Sequence, residues 1–346
     1  MLKPRFTLID IILDEQIKKI IIDEGKIKPF RIEQFLQWIF NYSYFDLGKM
    51  SNLDKLSKKF FSENIEILPL KISSTLKEEE TDTIKILLET HDSYLIEMVI
   101  LKDDGRNTLC LSSQIGCPMG CKFCATGNVG YSRNLSSSEM LWEFLIAQQL
   151  VQKVDNIVIM GMGEPFLNFN NVEKFIKALV LNKIKPFSAR RITISTSGIK
   201  NFAKKMVELN LPVKLSISLH SPFDDIRKQL MPNSLTMSEL LDECDFYAKN
   251  IDKRITFEYI LIDGITDTEQ SISELVKIAK RYSAFINLIS YNEVEGIDYK
   301  SSKKERLITS YLDKENIRYS FRYKRGQKIK GACGQLVWER KKNQQS

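Results

Sequence analysis

The 346-residue sequence predicts an α/β protein: a parallel sheet curled into a partial (βα)6 TIM-like barrel, with a small helical N-terminal domain and a β-hairpin extension in front of it. Three observations predict this. From about residue 108, short apolar runs alternate six times with longer amphipathic ones, and parallel strands need crossovers long enough to hold a helix. Before residue 70 the apolar side chains recur at helical spacing. The composition, 43% hydrophobic and 27% charged, is that of a folded globular chain and argues against disorder, collagen or a disulfide-framed miniprotein.

Residues 1–75 are assigned to the helical domain because Ile11, Ile12, Ile17, Ile20, Ile21 and Ile22, then Phe35, Trp38, Ile39 and Phe40, recur near helical spacing. Residues 76–105 are the hairpin extension. Their β-branched, alternating runs 84–89 and 94–101 are separated by His91-Asp92 and closed by Asp103-Asp-Gly-Arg. The barrel spans 106–325, with strands expected at 108–113, 156–160, 191–196, 213–219, 254–262 and 285–291. Helices are expected at 137–153, 171–182, 199–209, 237–250 and 269–282, with another near 303–314. An open doubly wound sheet is the alternative arrangement. In both, the polar loops at the C-terminal ends of the strands form the active face. A C-terminal segment, 326–346, completes the chain.

The net charge is +7, but it is unevenly placed. Nine basic residues (Arg318, Arg322, Lys324, Arg325, Lys328, Lys330, Arg340, Lys341 and Lys342) stand against Glu339 alone, which leaves the rest of the chain close to neutral. Such a segment permits a polyanionic partner without demanding one. Asp10 interrupts any apolar signal region, and no run approaches the ~18 residues of a membrane span, so a cytoplasmic location without a membrane partner is expected. The six cysteines, at 110, 117, 121, 124, 244 and 333, then read as metal ligands or catalytic thiols rather than a disulfide framework.

Cys117-Pro-Met-Gly-Cys121-Lys-Phe-Cys124 has C-x3-C-x2-C spacing directly after the first barrel strand. Three thiolates on one loop can hold three corners of a cubane cluster, whereas a structural zinc would want a fourth Cys or His nearby. A cluster with one open corner can chelate a small molecule and pass an electron inward. Gly161-Met-Gly-Glu-Pro alone reads as a tight turn, and His220 alone as a hydrogen-bonded barrel residue. Cys244 reads as helix packing.

In chain order, the sequence carries Cys110-Leu-Ser-Ser-Gln-Ile-Gly-Cys-Pro-Met-Gly-Cys-Lys-Phe-Cys-Ala-Thr-Gly, Met160-Gly-Met-Gly-Glu-Pro, Arg190-Arg-Ile-Thr-Ile-Ser-Thr-Ser-Gly and Ser218-Leu-His-Ser-Pro. Phe257-Glu-Tyr-Ile-Leu-Ile-Asp-Gly and Ala332-Cys-Gly-Gln-Leu follow. The cysteine loop opening a β/α barrel resembles the radical S-adenosylmethionine (SAM) superfamily. The ordered set of six motifs, spread over nearly the whole chain, resembles the RlmN/Cfr family of RNA adenine methyltransferases.

That resemblance implies roles for particular residues. Cys117, Cys121 and Cys124 would bind a [4Fe-4S] cluster; Gly163, Glu164, Ser195, Ser218, Leu219, His220 and Asn292 match positions that contact SAM. Cys333 matches the methyl-carrying cysteine, Cys110 its resolving partner, and Glu97 the proton acceptor. Glu97 shares a strand face with Leu95, Val99 and Leu101, so an exposed strand edge is its ordinary alternative. Two SAM molecules per turnover are implied. An adenine C–H carbon is a poor nucleophile, so one SAM loads its methyl onto Cys333. A second is cleaved to a 5′-deoxyadenosyl radical that takes a hydrogen from the S-methyl group, and the resulting carbon radical adds to the base. Cys110 then attacks the Cys333 sulfur, which frees the methylated adenine and leaves a transient disulfide.

The implied substrate is an adenine in the peptidyl-transferase centre of 23S rRNA, met before ribosome assembly is complete, with the adenine 3′ of the anticodon in tRNA as a second target. The resemblance also implies an electron donor such as flavodoxin and a monomeric enzyme. The helical domain and basic segment would supply backbone contacts, with Tyr319, Phe321, Tyr323 or Trp338 available for stacking, although alternation makes the three at 319–323 better strand core. Phe257-Glu-Tyr and Met160-Gly-Met-Gly-Glu-Pro favour C2 methylation over the C8 chemistry of the antibiotic-resistance branch. A non-catalytic iron–sulfur electron carrier or RNA-binding protein is the reading from another class, and it has no use for Cys110 and Cys333 together. Three places depart from the family pattern: Ile329-Lys-Gly before Ala-Cys-Gly, Ser290 in place of a common proline, and a short Met231-Pro-Asn-Ser-Leu connection.

Overall fold

The computed structural model describes residues 5–294, 296–322, 326, 328–336 and 339–340. Tyr323, Trp338 and the basic residues Lys324, Arg325, Lys341 and Lys342 lie outside the described residues. The chain opens with α1 (Leu8–Leu13), α2 (Glu15–Gly25), α3 (Pro29–Phe40) and α4 (Lys55–Asn64). Each start has a local cause: Thr7 and Asp10 make a capping box for α1, Asp14 and Asp54 cap α2 and α4, and proline opens α3. Their apolar stripes meet through Ile11, Ile21, Ile32 and Ile39, with Phe35 stacked on Phe61 at 4.7 Å.

Four antiparallel strands follow: β1 (Leu70–Glu78), β2 (Thr83–Thr90), β3 (Tyr94–Asp103) and β4 (Arg106–Leu111). The expected hairpin is β2–β3. Strand β1 was not expected, and residue 75, the boundary drawn for the helical domain, falls inside it. Its seven middle residues are exposed, Ile72 and Leu76 among them, so the period-two spacing of Leu70, Ile72 and Leu76 marks no buried face; it is an edge strand interrupted by a register shift between Ile72 and Ser74.

A two-stranded ribbon, β5 (Gln114–Gly116) and β6 (Tyr131–Asn134), brackets the short helix α5 (Ala125–Val129). The alternating region then runs α6 (Ser137–Val151), β7 (Asn156–Ile159), α7 (Phe169–Val180), β8 (Ile192–Thr196), α8 (Phe202–Leu209) and β9 (Lys214–Ser218). It continues through α9 (Asp224–Leu230), α10 (Met237–Asn250), β10 (Thr256–Leu261), α11 (Glu269–Arg281), β11 (Phe285–Ser290), α12 (Glu305–Lys314) and β12 (Tyr319–Arg322), and β13 (Glu339–Arg340) returns to pair with β3. All six expected barrel strands are present. β12 adds a seventh, and Tyr319 and Phe321 pack half-buried against the core, as their alternation predicts.

The sheet order is β1-β2-β3-β4-β7-β8-β9-β10-β11-β12, parallel from β4 onward. If it were flat, β4 and β12 would lie about 29 Å apart at the usual strand spacing. Instead, Thr108 and Cys110 of β4 and Ser320 and Arg322 of β12 line one cavity of about 400 Å³. The sheet is therefore curled, which decides between the barrel and the open sheet. Outward-facing residues such as Ile157, Ile194, Leu215, Ile217, Phe257 and Ile286 are buried in one core cluster with the covering helices. The opposite row is polar: Ser195 aligns with Ser216, and Ser218 with Glu258 and Asn287, which aligns with Ser320.

Arg133 clamps the hairpin to the barrel. Its guanidinium donates to both oxygens of Asp92 in the β2–β3 turn, each at 2.7 Å, and to both oxygens of Glu139 on α6 at 2.9 and 2.8 Å. The Arg133 hydrogen bonds hold the Asp92 carboxyl well below the usual carboxylate range. Replacing Arg133 with methionine leaves the buried Glu139 without its cation and should cost about 2–4 kcal/mol in urea unfolding at neutral pH. A depressed carboxylate contributes stability that is lost as the pH falls, so the gap between wild type and Arg133→Met should narrow below about pH 4. Equal midpoints at pH 7 would show that the clamp carries no stability.

Candidate active site

The loop bearing Cys117, Cys121 and Cys124 is closed at its base by the β5–β6 ribbon, where the Cys117 amide donates to Gly130 O at 3.0 Å. It is covered by α5, and a Cβ at Gly127 would sit 2.8 Å from the backbone N and O of Cys121, so only glycine allows that approach. The three thiols line one cavity of about 170 Å³. Burial pushes the Cys117 thiol up to about 12, and burial also pushes the Cys121 thiol well above its ordinary value. Such thiols become good ligands only when a cation replaces the proton. Three thiols on one loop, with no fourth Cys or His among the described residues lining the cavity other than His220 and Cys333, match a group that takes one thiolate per corner.

Gly163, Glu164, Ser195, Ser218 and His220 line the same cavity. Gly163 has φ +106° and packs on Gln114, where a Cβ would come within 2.6 Å. The buried Glu164 carboxylate accepts the Ser197 amide at 2.8 Å, the Ser197 hydroxyl at 2.7 Å and the Phe166 amide at 3.2 Å. Burial raises its pKa against those hydrogen bonds. His220 adopts the left-handed region at φ 53°; its Nδ1 accepts the Ile260 amide at 3.2 Å and its ring meets Phe123 edge-on at 5.0 Å. Burial lowers its pKa to about 3. Leu219 turns its side chain into the main core, and its carbonyl accepts a hydrogen bond from Arg227.

Asn292 lies in the adjoining cavity of about 400 Å³, where its Nδ2 donates to Cys333 O at 3.2 Å. Among the buried polar atoms of the described residues that lack a hydrogen-bond partner are two acceptors on these cavity-lining residues: Asn292 Oδ1, in this cavity, and Oε2 of Glu258, which lines the first. Orphaned acceptors fit a ligand rich in donors, and an ammonium, ribose hydroxyls and an adenine amine are such donors.

Cys110 and Cys333, 223 residues apart, line this second cavity together, and Cys333 also lines the first. Cys333 is held there by a series of backbone contacts. The Ala125 amide donates to Gly334 O at 2.7 Å, and Thr126 Oγ1 to Leu336 O at 2.5 Å. Buried Glu78, at the end of β1, accepts the Gly326 and Lys328 amides at 2.7 and 3.0 Å, and Lys85 donates to Lys330 O at 3.0 Å. Burial pushes both thiols up. Cys333 opposes the thiolate of Cys110, while the Arg322 guanidinium favours both.

Glu97 is buried and does not line either cavity. Its Oε1 is 2.6 Å from Lys85 Nζ, the ammonium that also holds the Lys330 carbonyl. Its strand neighbours Val99 and Leu101 do reach the second cavity. Arg322, which lines both cavities, and Glu258, which lines the first, are functional candidates that sequence reasoning passed over. Glu258 stood inside the Phe257-Glu-Tyr motif, an acid in an apolar strand, while Arg322 had been counted as surface charge. Cys244 is fully buried on α10, as expected of helix packing. The short 231–235 connection packs on the cysteine loop, with Asn233 donating to Pro118 O at 3.0 Å. Ser290 shares a hydrogen bond with Ser301 at 3.0 Å.

A family model described as the radical SAM superfamily matches residues 111–276, and one for the ribosomal RNA large subunit methyltransferase N-terminal domain matches residues 12–67. The chain is 38% identical over 320 residues to a probable dual-specificity RNA methyltransferase RlmN of Clostridium novyi, covering 91% of this chain and 93% of that one. A protein of the same description from Carboxydothermus hydrogenoformans is also 38% identical, with 91% and 94% covered. Among solved structures, a radical SAM methyltransferase from Sphaerobacter thermophilus superposes with a TM-score of 0.89 at 33% identity, over 96% of this chain and 97% of that one.

The environment of His220 makes a direct prediction. Burial keeps its imidazole neutral in the folded protein, while in the unfolded chain it protonates below about pH 6.5. In ¹⁵N NMR of a His91→Asn variant, the single remaining histidine should hold its Nε2–H tautomer from pH 8 to pH 5. Since the unfolded state takes up the extra proton, His220 should also reduce stability as the pH falls below about 6.5. A midpoint near 6.5 in the folded protein would contradict this.

Proposed function

The chain belongs to the radical SAM RNA methyltransferases of the RlmN type, and from that premise we propose that it methylates C2 of an adenine in 23S rRNA, using Cys333 as the methyl carrier and Cys110 as the resolving thiol. The observation that carries this reading is the convergence of Cys110 and Cys333 on one cavity, with Cys333 also facing the cavity of the three-cysteine loop. An electron carrier has no use for that pair of thiols.

Superfamily membership implies a [4Fe-4S] cluster and SAM. In this proposal Cys117, Cys121 and Cys124 hold the cluster, and Gly163, Glu164, Ser195, Ser218, the Leu219 backbone, His220 and Asn292 surround SAM. When bound, these groups supply the one-electron chemistry that removes a hydrogen from the stored methyl. The chain's own residues do the rest. The Cys333 thiolate attacks the sulfonium methyl: its S–C bond forms as the sulfonium C–S bond breaks, and two SAM molecules are used per turnover. Once the carbon has joined the base, the adduct has one electron to lose, for which the cluster would be the acceptor when bound, and the ring proton leaves to a base, for which Glu97 is proposed. Attack of the Cys110 thiolate on the Cys333 sulfur then makes the S–S bond and breaks the S–C bond, leaving that electron pair on the former S–CH2 carbon, which takes up a proton to become the methyl group of the adenine. Lys85 would position Glu97 relative to the Cys333 loop, since its ammonium touches both.

The adenine 3′ of the anticodon in tRNA is proposed as a second substrate, with a flavodoxin-type protein as electron donor. Of the basic segment, Arg318 is engaged by Ser283 O and Arg322 faces the interior, so only part of its charge is left for RNA backbone contacts.

Two experiments test this. Nucleosides released from 23S rRNA incubated with reconstituted enzyme, reductant and SAM should contain 2-methyladenosine by mass spectrometry; 8-methyladenosine would overturn the regiochemistry. Cys110→Ala should accumulate a covalent protein–RNA adduct visible as a gel shift, and Cys333→Ala should form none. Normal methylation by both variants would sink the two-thiol scheme.

A further inference from the structure

Glu258 stands in the middle of β10, aligned with Ser218 of β9 and Asn287 of β11, and its side chain belongs to the polar inner row of the curled sheet. It is 3% exposed. Its main chain is locked as well, since its carbonyl accepts the Leu219 and His220 amides at 3.0 and 3.3 Å. The protein engages only one of its two carboxylate oxygens among the described residues: Oε1 accepts Ser216 Oγ at 2.5 Å and Asn287 Nδ2 at 2.8 Å, and lies 3.5 Å from Arg322 Nη2. Asn287 is held in turn by Ser320 Oγ, which donates to its Oδ1 at 2.6 Å. The other oxygen, Oε2, is buried without a hydrogen-bond partner, and Glu258 lines the three-thiol cavity. Such an oxygen costs stability unless something donates to it.

We propose that Glu258 is a cofactor-binding residue whose Oε2 accepts a ribose hydroxyl from the nucleoside half of SAM. The inference rests on the reading of this cavity as the SAM site and adds a contact that the sequence motifs did not supply. Two observations select the hydroxyl among the donors that SAM carries. The first is charge. Arg322 already shares this carboxylate, so an ammonium at Oε2 would bring a second cation to the same group, whereas a hydroxyl brings none. The second is layering. Two residues further along the strands, on the same face, Ile260 aligns with Ile289, and both line the cavity. An apolar row next to a polar one suits a flat base next to its sugar, with the rings over the isoleucines and the hydroxyls over Ser218 and Glu258. The carboxylate is then satisfied on one side by the protein and on the other by the ligand.

The test measures equilibrium binding to the full-length, cluster-reconstituted protein by isothermal titration calorimetry, with S-adenosylhomocysteine as a ligand that has no reactive methyl. Its 2′-deoxy and 3′-deoxy analogues each lack one hydroxyl, and its purine analogue, with hydrogen in place of the 6-amino group, lacks the amine of the base. Wild type should bind one of the two deoxy analogues at least about tenfold more weakly than the parent, because a hydrogen bond to a charged group is withdrawn and a buried oxygen is left unpaired. Glu258→Gln should bind the parent at least about tenfold more weakly than wild type does, and should separate it from that analogue by less than about twofold. A purely structural role would lower both affinities alike and keep their ratio. The analogue series on wild type needs no variant, so the proposal stays testable if Glu258→Gln folds poorly. Equal wild-type affinities for the parent and both deoxy analogues, a ratio retained in Glu258→Gln, or a loss confined to the analogue without the amine overturns the proposal. Failure of the wild type to bind S-adenosylhomocysteine at all overturns the reading of the cavity as the SAM site instead.

Discussion

Glu258 lies in the middle of a parallel sheet, and a carboxyl group there is tolerable only if its neighbours satisfy it. Ser216, Asn287 and Arg322 do so for Oε1 from the neighbouring strands, while Oε2 is left without a protein partner, and this makes the inner row of the barrel polar across β9, β10, β11 and β12. A row of small polar side chains cannot close into a packed core like the aliphatic layers of a full barrel. The interior therefore stays hollow at the strand ends, and the two cavities occupy that space. The outer face carries the stability, through isoleucines and leucines under the helices. This division leaves the inner face free for chemistry.

The second organising contact is the docking of the C-terminal loop. Its anchors are mostly backbone groups: the Gly326 and Lys328 amides on Glu78, the Lys330 carbonyl on Lys85, and Gly334 and Leu336 carbonyls on Ala125 and Thr126. Such anchors tolerate changes of side chain. The Ile329-Lys-Gly departure can thus be accommodated, because the loop uses Lys330 through its carbonyl and its left-handed backbone at φ 51°. Strand β1, outwardly an unremarkable polar edge, matters because its last residue is Glu78.

Periodicity alone revealed the six barrel strands and their helices, since each is wet on one side or continuous in apolar character. It missed β1, where Leu70, Ile72 and Leu76 are too sparse among Lys71, Ser73, Ser74, Thr75 and Lys77 to mark a buried face, and α9, too short for a period to show. The cysteine loop was legible from spacing. The roles of Cys110 and Cys333 came only from motif resemblance, because nothing local to either residue reports a partner 223 positions away. Arg322 and Glu258 were illegible for a related reason. Each is an ordinary charge in its own strand, and their pairing exists only once β11 has been inserted between β10 and β12.

The bond from Ala125 to Gly334 also sets an order of events in time. About 210 residues separate the two, so at typical synthesis rates the cysteine loop leaves the ribosome roughly 10–40 s before the segment that covers it. During that interval the cysteine loop stands without the segment that later packs on it. Once the last loop docks, Cys333 and Gly334 become part of the lining of the three-thiol cavity. Completion of that cavity is thus tied to the direction in which the chain is made.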